Sequence, residues 1–157
     1  MTDIDRAFEA EMPCLRRYAR ALTRDNVKAE DLLQECLMRG LEKVHLWRRG
    51  TNLRAWLLTI LHNQYVNHIR RSAREGIAVD FSQIESPLTR APAQEKTLQL
   101  RALNRALTEL PEGQRAAVLL IGLEGLSYEE AAKVTGVPVG TVRSRLSRGR
   151  QKLMMAA

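Results

Sequence analysis

The chain has 157 residues and a formal net charge of +7, with 45% apolar and 4% aromatic residues. This length suits one medium domain or two small ones, and the basic charge favours a polyanionic partner, nucleic acid or an anionic membrane surface, over a merely solvated surface. No apolar run is long enough to span a membrane, and the acidic start at residues 2–5 is unlike a signal peptide, so we expect a soluble, cytoplasmic protein.

The residues that would carry catalysis or bind a metal are few and scattered. Cys14 and Cys36 lie among apolar residues and form no C-x-x-C pair, so both are predicted to be reduced core residues. His45, His62 and His68 lack the spacing of metal ligands, and no phosphate-binding glycine loop is present. We therefore expect no enzymatic activity, catalytic residue, metal, cofactor or small-molecule substrate.

The first 75 residues have the apolar periodicity of a helical bundle. Helices are predicted over residues 8–22, 26–44, 53–61 and 64–74, with a turn at 49–52. Pro13 can bend or split the first helix, and Asp25 or Asn26 can cap the second. The last two stretches form one helix or are separated by a short break at His62 and Asn63.

The composition changes in the middle of the chain. Residues 76–97 contain Pro87 and Pro92, lack sustained helical periodicity and are slightly acidic, whereas the segments on either side are basic. This pattern is typical of a flexible linker. The sequence therefore predicts an all-α fold with two small helical domains, residues 1–75 and 98–157, joined by a linker over 76–97.

The second domain contains the pattern of a helix-turn-helix. Helices over 98–110 and 115–124, which Pro111 and Gly125 end, precede it. Ser127 and Glu130 then have the spacing of a capping box for a short helix over 129–134. Gly136 can take a positive φ in the turn, and Pro138 suits the first turn of the next helix. Ala132, Gly136 and Val142 have the spacing expected for a small contact residue, a turn glycine and an apolar anchor.

The second helix of this motif is basic on its outward face. From Ala131 to the C-terminus the sequence has six Lys or Arg residues and no acid. Val142, Leu146 and Leu153 predict an inward stripe. The side chains predicted to face outward are Thr141, Arg143, Ser144, Arg145, Ser147 and Arg148. Arginine can bind guanine edges through two hydrogen bonds, and hydroxyls can reach bases or phosphates, so we favour DNA reading over a plain amphipathic surface helix.

Seven segments, taken together, resemble one family. They are AEDLLQE (29–35), GTNLRAWL (50–57), ILHN (60–63), IRR (69–71), LPEGQR (110–115), LSYEEAA (126–132) and PVGTVRSR (138–145). The first resembles region 2.2, the next three resemble regions 2.3 and 2.4, and the last three resemble region 4 of the extracytoplasmic-function sigma factors of bacterial RNA polymerase. The resemblance covers nearly the whole chain in the right order.

The resemblance implies a fold with regions 2 and 4 as separate domains and binding to core RNA polymerase, promoter DNA and an anti-sigma protein. Region 2 would bind the polymerase clamp through Asp31, Leu32, Gln34 and Glu35. It would read the melted −10 element through Asn63, Asn67, His68, Arg70 and Arg71. Region 4 would bind the polymerase flap and read the −35 duplex through Thr141, Val142, Arg143, Ser144, Arg145 and Arg148.

Some of these positions have a structural alternative. Asn63 falls in the family's loop that holds an extruded −10 base, and its amide has the donors and acceptor to read a base edge, but it also suits a helix cap. Asp31 on its own also suits an ordinary helix start. Trp47 and Trp56 can stack on bases, although Trp56 lies inside an apolar run and is expected in the core.

Two other functions compete with promoter recognition. A stand-alone helix-turn-helix regulator explains residues 127–153 but not 29–71, and would bind DNA as a dimer without polymerase. A sigma-like decoy would bind an anti-sigma protein and never contact DNA, but the arginines at 143, 145 and 148 argue against that alternative.

Overall fold

The computed structural model describes residues 2–76 and 95–156. Its elements are α1 (Asp3–Thr23), α2 (Asn26–Glu42), a 3-10 turn (Val44–Leu46), α3 (Leu53–Glu75), α4 (Glu95–Glu109), α5 (Glu112–Ala117), a π-helical segment (Val118–Leu123), α6 (Tyr128–Thr135) and α7 (Val139–Ala156). The all-α prediction is confirmed. Residues 77–94, most of the predicted linker, lie outside the described residues. None of the described helices is long and apolar enough to cross a bilayer.

Side-chain caps explain where several helices begin. Thr2 and Asp5 form a capping box at the start of α1. The Asp25 carboxylate accepts hydrogen bonds from the first backbone N–H groups of α2, so the predicted cap is confirmed there. The Asn52 side chain accepts from the backbone N–H of Ala55 at the start of α3.

The structure settles two alternatives that the sequence left open and corrects one predicted helix. Pro13 lies inside α1 without dividing it. α3 continues without a break through His62 and Asn63, because neither residue removes a backbone hydrogen bond. The helix predicted over 115–124 is α-helical only to Ala117 and then widens into the π-helical segment.

The first group of helices, α1 to α3, packs around a tightly filled core. Leu15, Leu33, Leu57 and Leu61 are fully buried at its centre. Both cysteines are free and buried among them, as predicted. Burial raises the pKa of the Cys36 thiol to about 12 and raises that of Cys14 as well, which keeps both thiols protonated.

The second group, α4 to α7, has its own set of buried side chains, including Leu107, Leu120, Leu146 and Val134. Arg115 is also buried here, where its Nη1 donates to the carbonyl oxygens of Thr108 and Leu110. This arginine satisfies carbonyls at the end of α4 that have no helical partner. α3 packs against α6, and a single apolar cluster joins the two groups.

Gly149 is required where α7 crosses α5. A Cβ at this position would lie 2.7 Å from Cγ2 of Val118 and 3.3 Å from the carbonyl oxygen of Gln114. Because both neighbours are packed, we expect Gly149→Ala to lower the free energy of unfolding by roughly 1–3 kcal/mol. Gly140→Ala is the matched control in the same helix, since a Cβ there meets no atom within 4 Å. Alanine favours helix, so urea denaturation should show an unchanged or higher stability for that variant. Equal destabilisation of both variants would contradict the packing argument.

Candidate nucleic-acid interface

The helix-turn-helix is formed by α6 and α7. Ser127 accepts a hydrogen bond from the backbone N–H of Glu130, and the Glu130 carboxylate accepts from the backbone N–H of Ser127, so the capping box is confirmed. Gly136 ends α6 with φ 72°. Pro138 lies directly before α7, next to its first turn as predicted, and its carbonyl oxygen accepts from the N–H groups of Thr141 and Val142.

Apolar contacts fix the angle between these two helices. α6 packs against α7, and Ala132 and Val134 of α6 and Val142 and Leu146 of α7 are all buried. Val142 is only 2% exposed, so its inclusion among the DNA-contacting residues is wrong. Its side chain is the apolar anchor that positions α7. This is the role that its spacing from Gly136 indicated.

The outward face of α7 exposes Arg143, Ser144 and Arg148, whereas Thr141 and Arg145 are half-buried. The Cζ atom of Arg143 lies 5.4 Å from the centre of the Tyr128 ring. This distance suits a cation–π interaction that restrains the arginine. Sequence reasoning missed Tyr128, because the ring comes from the other helix of the motif.

The Arg145 guanidinium packs against α5 instead of extending freely into solvent. A Cβ added at Gly113 would lie 2.9 Å from Cζ of Arg145. The glycine of the LPEGQR segment therefore provides the space that this side chain occupies. Of the three predicted arginines on α7, Arg143 and Arg148 are exposed and Arg145 is half-buried.

A second exposed polar face runs along α3. Asn63, Asn67, Arg70 and Arg71 are all exposed, and their spacing places them on one side of the helix over about 12 Å. Asn63 lies in the middle of α3, ten residues after its start at Leu53. The cap alternative is therefore wrong, and so is its expected position in a loop.

The predicted clamp residues lie on α2, next to this face. Asp31 and Gln34 are exposed, and the carboxylate of half-buried Glu35 lies 2.9 Å from Nε2 of His68. A groove of about 270 Å³ lies between the two sites and is lined partly by Asp31, Leu32 and His68. Leu32 is only 2% exposed, so it belongs to the core and reaches the surface only at the floor of the groove. Its contact with the clamp stays a prediction.

The two tryptophans differ in their surroundings. Trp56 is half-buried and packs against the apolar core, as expected. Trp47 is also half-buried, but among the described residues its buried Nε1 has no hydrogen-bond partner. No three His, Cys, Asp or Glu side chains within 2–76 and 95–156 converge as metal ligands.

His62, directly before Asn63, anchors α3 to α1. Its Nδ1 shares a 3.0 Å hydrogen bond with the hydroxyl of Tyr18, and both side chains are buried. Burial lowers the pKa of His62 from 6.5 to about 4. The folded protein thus holds this imidazole neutral at pH values at which the unfolded chain binds a proton.

This difference in His62 protonation predicts acid sensitivity. The neutral His62 stabilises the folded state fully above about pH 6.5, and this stabilisation is lost as the pH falls through about 4. Between pH 7 and pH 5 the free energy of unfolding should therefore fall by about 2 kcal/mol because of this residue. Guanidinium denaturation of the His62→Asn variant, which keeps an acceptor for Tyr18, should show a pH dependence weaker by that amount. His45→Asn at an exposed position is the control and should retain the wild-type dependence. If the free energy of unfolding depends on pH equally in wild type and His62→Asn, then His62 is not the source of the acid sensitivity.

Known proteins resemble both halves of the chain. Residues 100–153 match the family model described as Sigma-70, region 4, and residues 8–62 match the one described as Sigma2 domain of PhyR. The ECF RNA polymerase sigma factor EcfG of Rhodopseudomonas palustris (strain TIE-1) is 40% identical over 144 residues, which cover 92% of this chain and 79% of that protein.

Two solved structures extend the likeness to three dimensions. The sigma factor RpoE of Bartonella quintana, solved with the anti-sigma factor NepR, has a TM-score of 0.83 and 39% identity over 99% of this chain and 97% of its own. The anti-anti-sigma factor PhyR of the same organism, also solved with NepR, has a TM-score of 0.58 over 98% of this chain and 50% of its own. At 16% identity, this second likeness shows the fold alone. By its identity and coverage with EcfG, the chain belongs to the extracytoplasmic-function sigma factors of RNA polymerase.

Proposed function

We propose that this protein binds core RNA polymerase and directs initiation at promoters that it selects by reading duplex DNA at −35 and melted DNA at −10. The observation that carries the proposal is the presence of two exposed, acid-poor faces, one on α7 of the helix-turn-helix and one on α3, in a member of the sigma factor family. Promoter recognition uses both faces, whereas a simple regulator would need only the first.

Residues 98–157 form the part that we assign to the −35 duplex and the polymerase flap. A helix such as α7 fits the major groove, where Arg143 and Arg148 can bind guanine edges or phosphates and Ser144 can reach a base or phosphate. Half-buried Thr141 and Arg145 lie at the edge of this surface. These contacts position the polymerase on the promoter.

Residues 1–75 form the part that we assign to the −10 element and the polymerase clamp. The amides of Asn63 and Asn67 have donors and acceptors that match unpaired base edges, and Arg70 and Arg71 suit phosphates. We place the clamp on the neighbouring surface of α2, at Asp31, Gln34 and Glu35. A −10 residue and a clamp residue already touch in the His68–Glu35 pair.

Binding energy alone drives this mechanism, and no covalent bond changes. Capture of unstacked −10 bases on α3 offsets the free energy needed to open the duplex. Because both DNA-reading parts belong to one chain, binding of one raises the effective concentration of the other. We further propose that the protein acts in the cytoplasm and that an anti-sigma protein holds it inactive, since RpoE was solved with NepR.

Run-off transcription with core RNA polymerase and a library of genomic fragments tests this function. The wild-type chain should direct specific transcripts that core polymerase alone does not make. An Arg143→Ala, Arg148→Ala variant should bind core equally well and lose those transcripts. If the wild type directs initiation from no fragment at all, the sigma function is wrong.

A decoy that binds an anti-sigma protein is the second candidate, because residues 8–62 match the Sigma2 domain of PhyR. The exposed Arg143, Ser144 and Arg148 disfavour it, since a decoy has no use for a DNA-reading face. The same assay separates the two functions. A decoy would bind an anti-sigma protein such as NepR and yield no transcript.

A further inference from the structure

The two helical groups are docked on each other in this structure. α3 packs against α6 and α1 packs against α5. One apolar cluster continues from Leu57 in the first group to Val134 in the second. The helix that carries the −10 face is thus held against the first helix of the helix-turn-helix.

Glu124 is the central polar contact between the groups. Its side chain is 1% exposed, although it carries a carboxylate. Nε and Nη2 of Arg17 donate to its two carboxylate oxygens, each at 2.9 Å. Nη1 of Arg54 donates to the Glu124 backbone carbonyl at 3.2 Å and lies 3.9 Å from its carboxylate, while Nε of Arg54 donates to Glu11. Two arginines of the first group therefore enclose one carboxylate of the second.

The π-helical segment positions this carboxylate. The backbone N–H groups of Glu124 and Leu126 donate to the carbonyl oxygens of Leu119 and Leu120, so the helix ends in widened turns. Gly125 then reverses the chain with φ 73°. A regular α-helix would rotate Glu124 to a different side, away from the arginines. An irregular helix end and a buried charge thus coincide at the boundary between the groups.

A second polar contact joins the starts of α3 and α6. Nδ2 of Asn52 donates to Oε2 of Glu130 at 2.7 Å, while Oε1 of Glu130 accepts from the backbone N–H of Ser127. Oδ1 of the same Asn52 accepts from Ala55. The capping side chains of two helices in different groups are therefore hydrogen-bonded to each other.

This docked arrangement does not suit simultaneous reading of both promoter elements. Elements at −35 and −10 are roughly 25 base pairs apart, which is about 85 Å of B-form duplex. A packed chain of this length has a radius of gyration of only about 15 Å. The two DNA-reading faces must therefore move apart before both elements can be bound.

We propose that the docked arrangement is a closed state held by a latch, formed by Glu124 with Arg17 and Arg54, and that the latch opens when the chain engages polymerase and promoter. This inference rests on the proposed function. In the closed state the buried carboxylate depends on the two arginines, so loss of either side shifts the population toward the open state. Opening exposes the Glu124 carboxylate to water, and its hydration offsets part of the loss of its contacts with the arginines.

The distance between the two groups in the free, full-length chain tests the latch. Dyes attached at Met38→Cys in α2 and Met154→Cys in α7 report it by single-molecule energy transfer, since both positions are exposed and the native cysteines are buried. Wild type should show mainly the short distance. Glu124→Gln should raise the long-distance population about ten-fold, and Arg17→Gln should act in the same direction.

Glu129→Gln is the matched control, because Glu129 is an exposed glutamate on α6 and the change in charge is the same. It should behave as wild type. Circular dichroism checks that each variant is folded. If Glu124→Gln does not fold, Arg17→Gln tests the latch independently. A wild-type chain that is mainly extended, or a Glu124→Gln variant that matches Glu129→Gln, would overturn the latch.

Transcription separates failure of the latch from failure of the proposed function. If the latch holds, Glu124→Gln should reach half-maximal transcription at a several-fold lower chain concentration than wild type. If wild type and Glu124→Gln need the same concentration, the latch does not oppose activity and the proposal fails while the sigma function stands. A complete absence of wild-type transcripts overturns the proposed function and with it this role of the latch.

Discussion

A chain in which Arg143 and Arg148 are both replaced by alanine is expected to bind promoter DNA through its −35 part on the order of 100-fold more weakly than wild type. Each of these exposed arginines can make a bidentate contact worth about 1–3 kcal/mol. Both side chains are exposed on α7, about 140° apart around its axis, and the buried Val142 and Leu146 fix the orientation of the helix. The fold should tolerate the change, since alanine is the strongest helix former.

Binding of holoenzyme to labelled −35 duplex over a range of salt concentrations measures this effect. If both arginines bind phosphates, a plot of the logarithm of the binding constant against the logarithm of salt concentration should be less steep for the variant. The magnitude of its negative slope should fall by about 2. Arg101→Ala, Arg105→Ala on α4 is the matched control, because it removes the same charge from two exposed helical positions. Equal weakening by the two double variants would mean that the helix-turn-helix contributes only general electrostatic attraction.

The sequence predicted best what depends on near neighbours. The Ser127–Glu130 capping box, the Asp25 cap and the positive φ of Gly136 all follow from residues within four positions of one another. Each of these features depends on local backbone geometry, which a short stretch of sequence determines. The all-α fold follows in the same way from helical periodicity.

Contacts between distant residues could not be predicted in this way. Arg17 and Glu124 are 107 positions apart, and neither has a neighbour that signals the pairing. The π-helical segment Val118–Leu123 consists of apolar residues that suit an α-helix equally well, so the sequence did not indicate that the helix widens there. For Val142 the resemblance suggested a DNA contact, but the spacing from Gly136 indicated an apolar anchor, and packing agrees with the spacing.

Asn63→Ala is expected to reduce formation of the open promoter complex by roughly 10- to 100-fold while leaving binding to core polymerase unchanged, since an amide that reads a base edge contributes about 1–3 kcal/mol. Because Asn63 lies in the middle of α3, its replacement by alanine can be made without disturbing the fold. Asparagine forms helix less readily than alanine, so the variant should be as stable as wild type or slightly more so, and any loss of function cannot come from unfolding.

Permanganate reactivity of unpaired thymines in the −10 element, together with competition binding to core, measures the two steps separately for Asn63→Ala. Gln99→Ala, which removes another exposed helical amide in α4, should leave both steps unchanged. On a template that is already unpaired at −10, Asn63→Ala should still bind less tightly than wild type, because the lost contact is to the base itself and not to the act of melting. Recovery of full affinity on that template would assign Asn63 to strand separation, and equal loss of core binding would show that it supports the clamp surface on α2 instead.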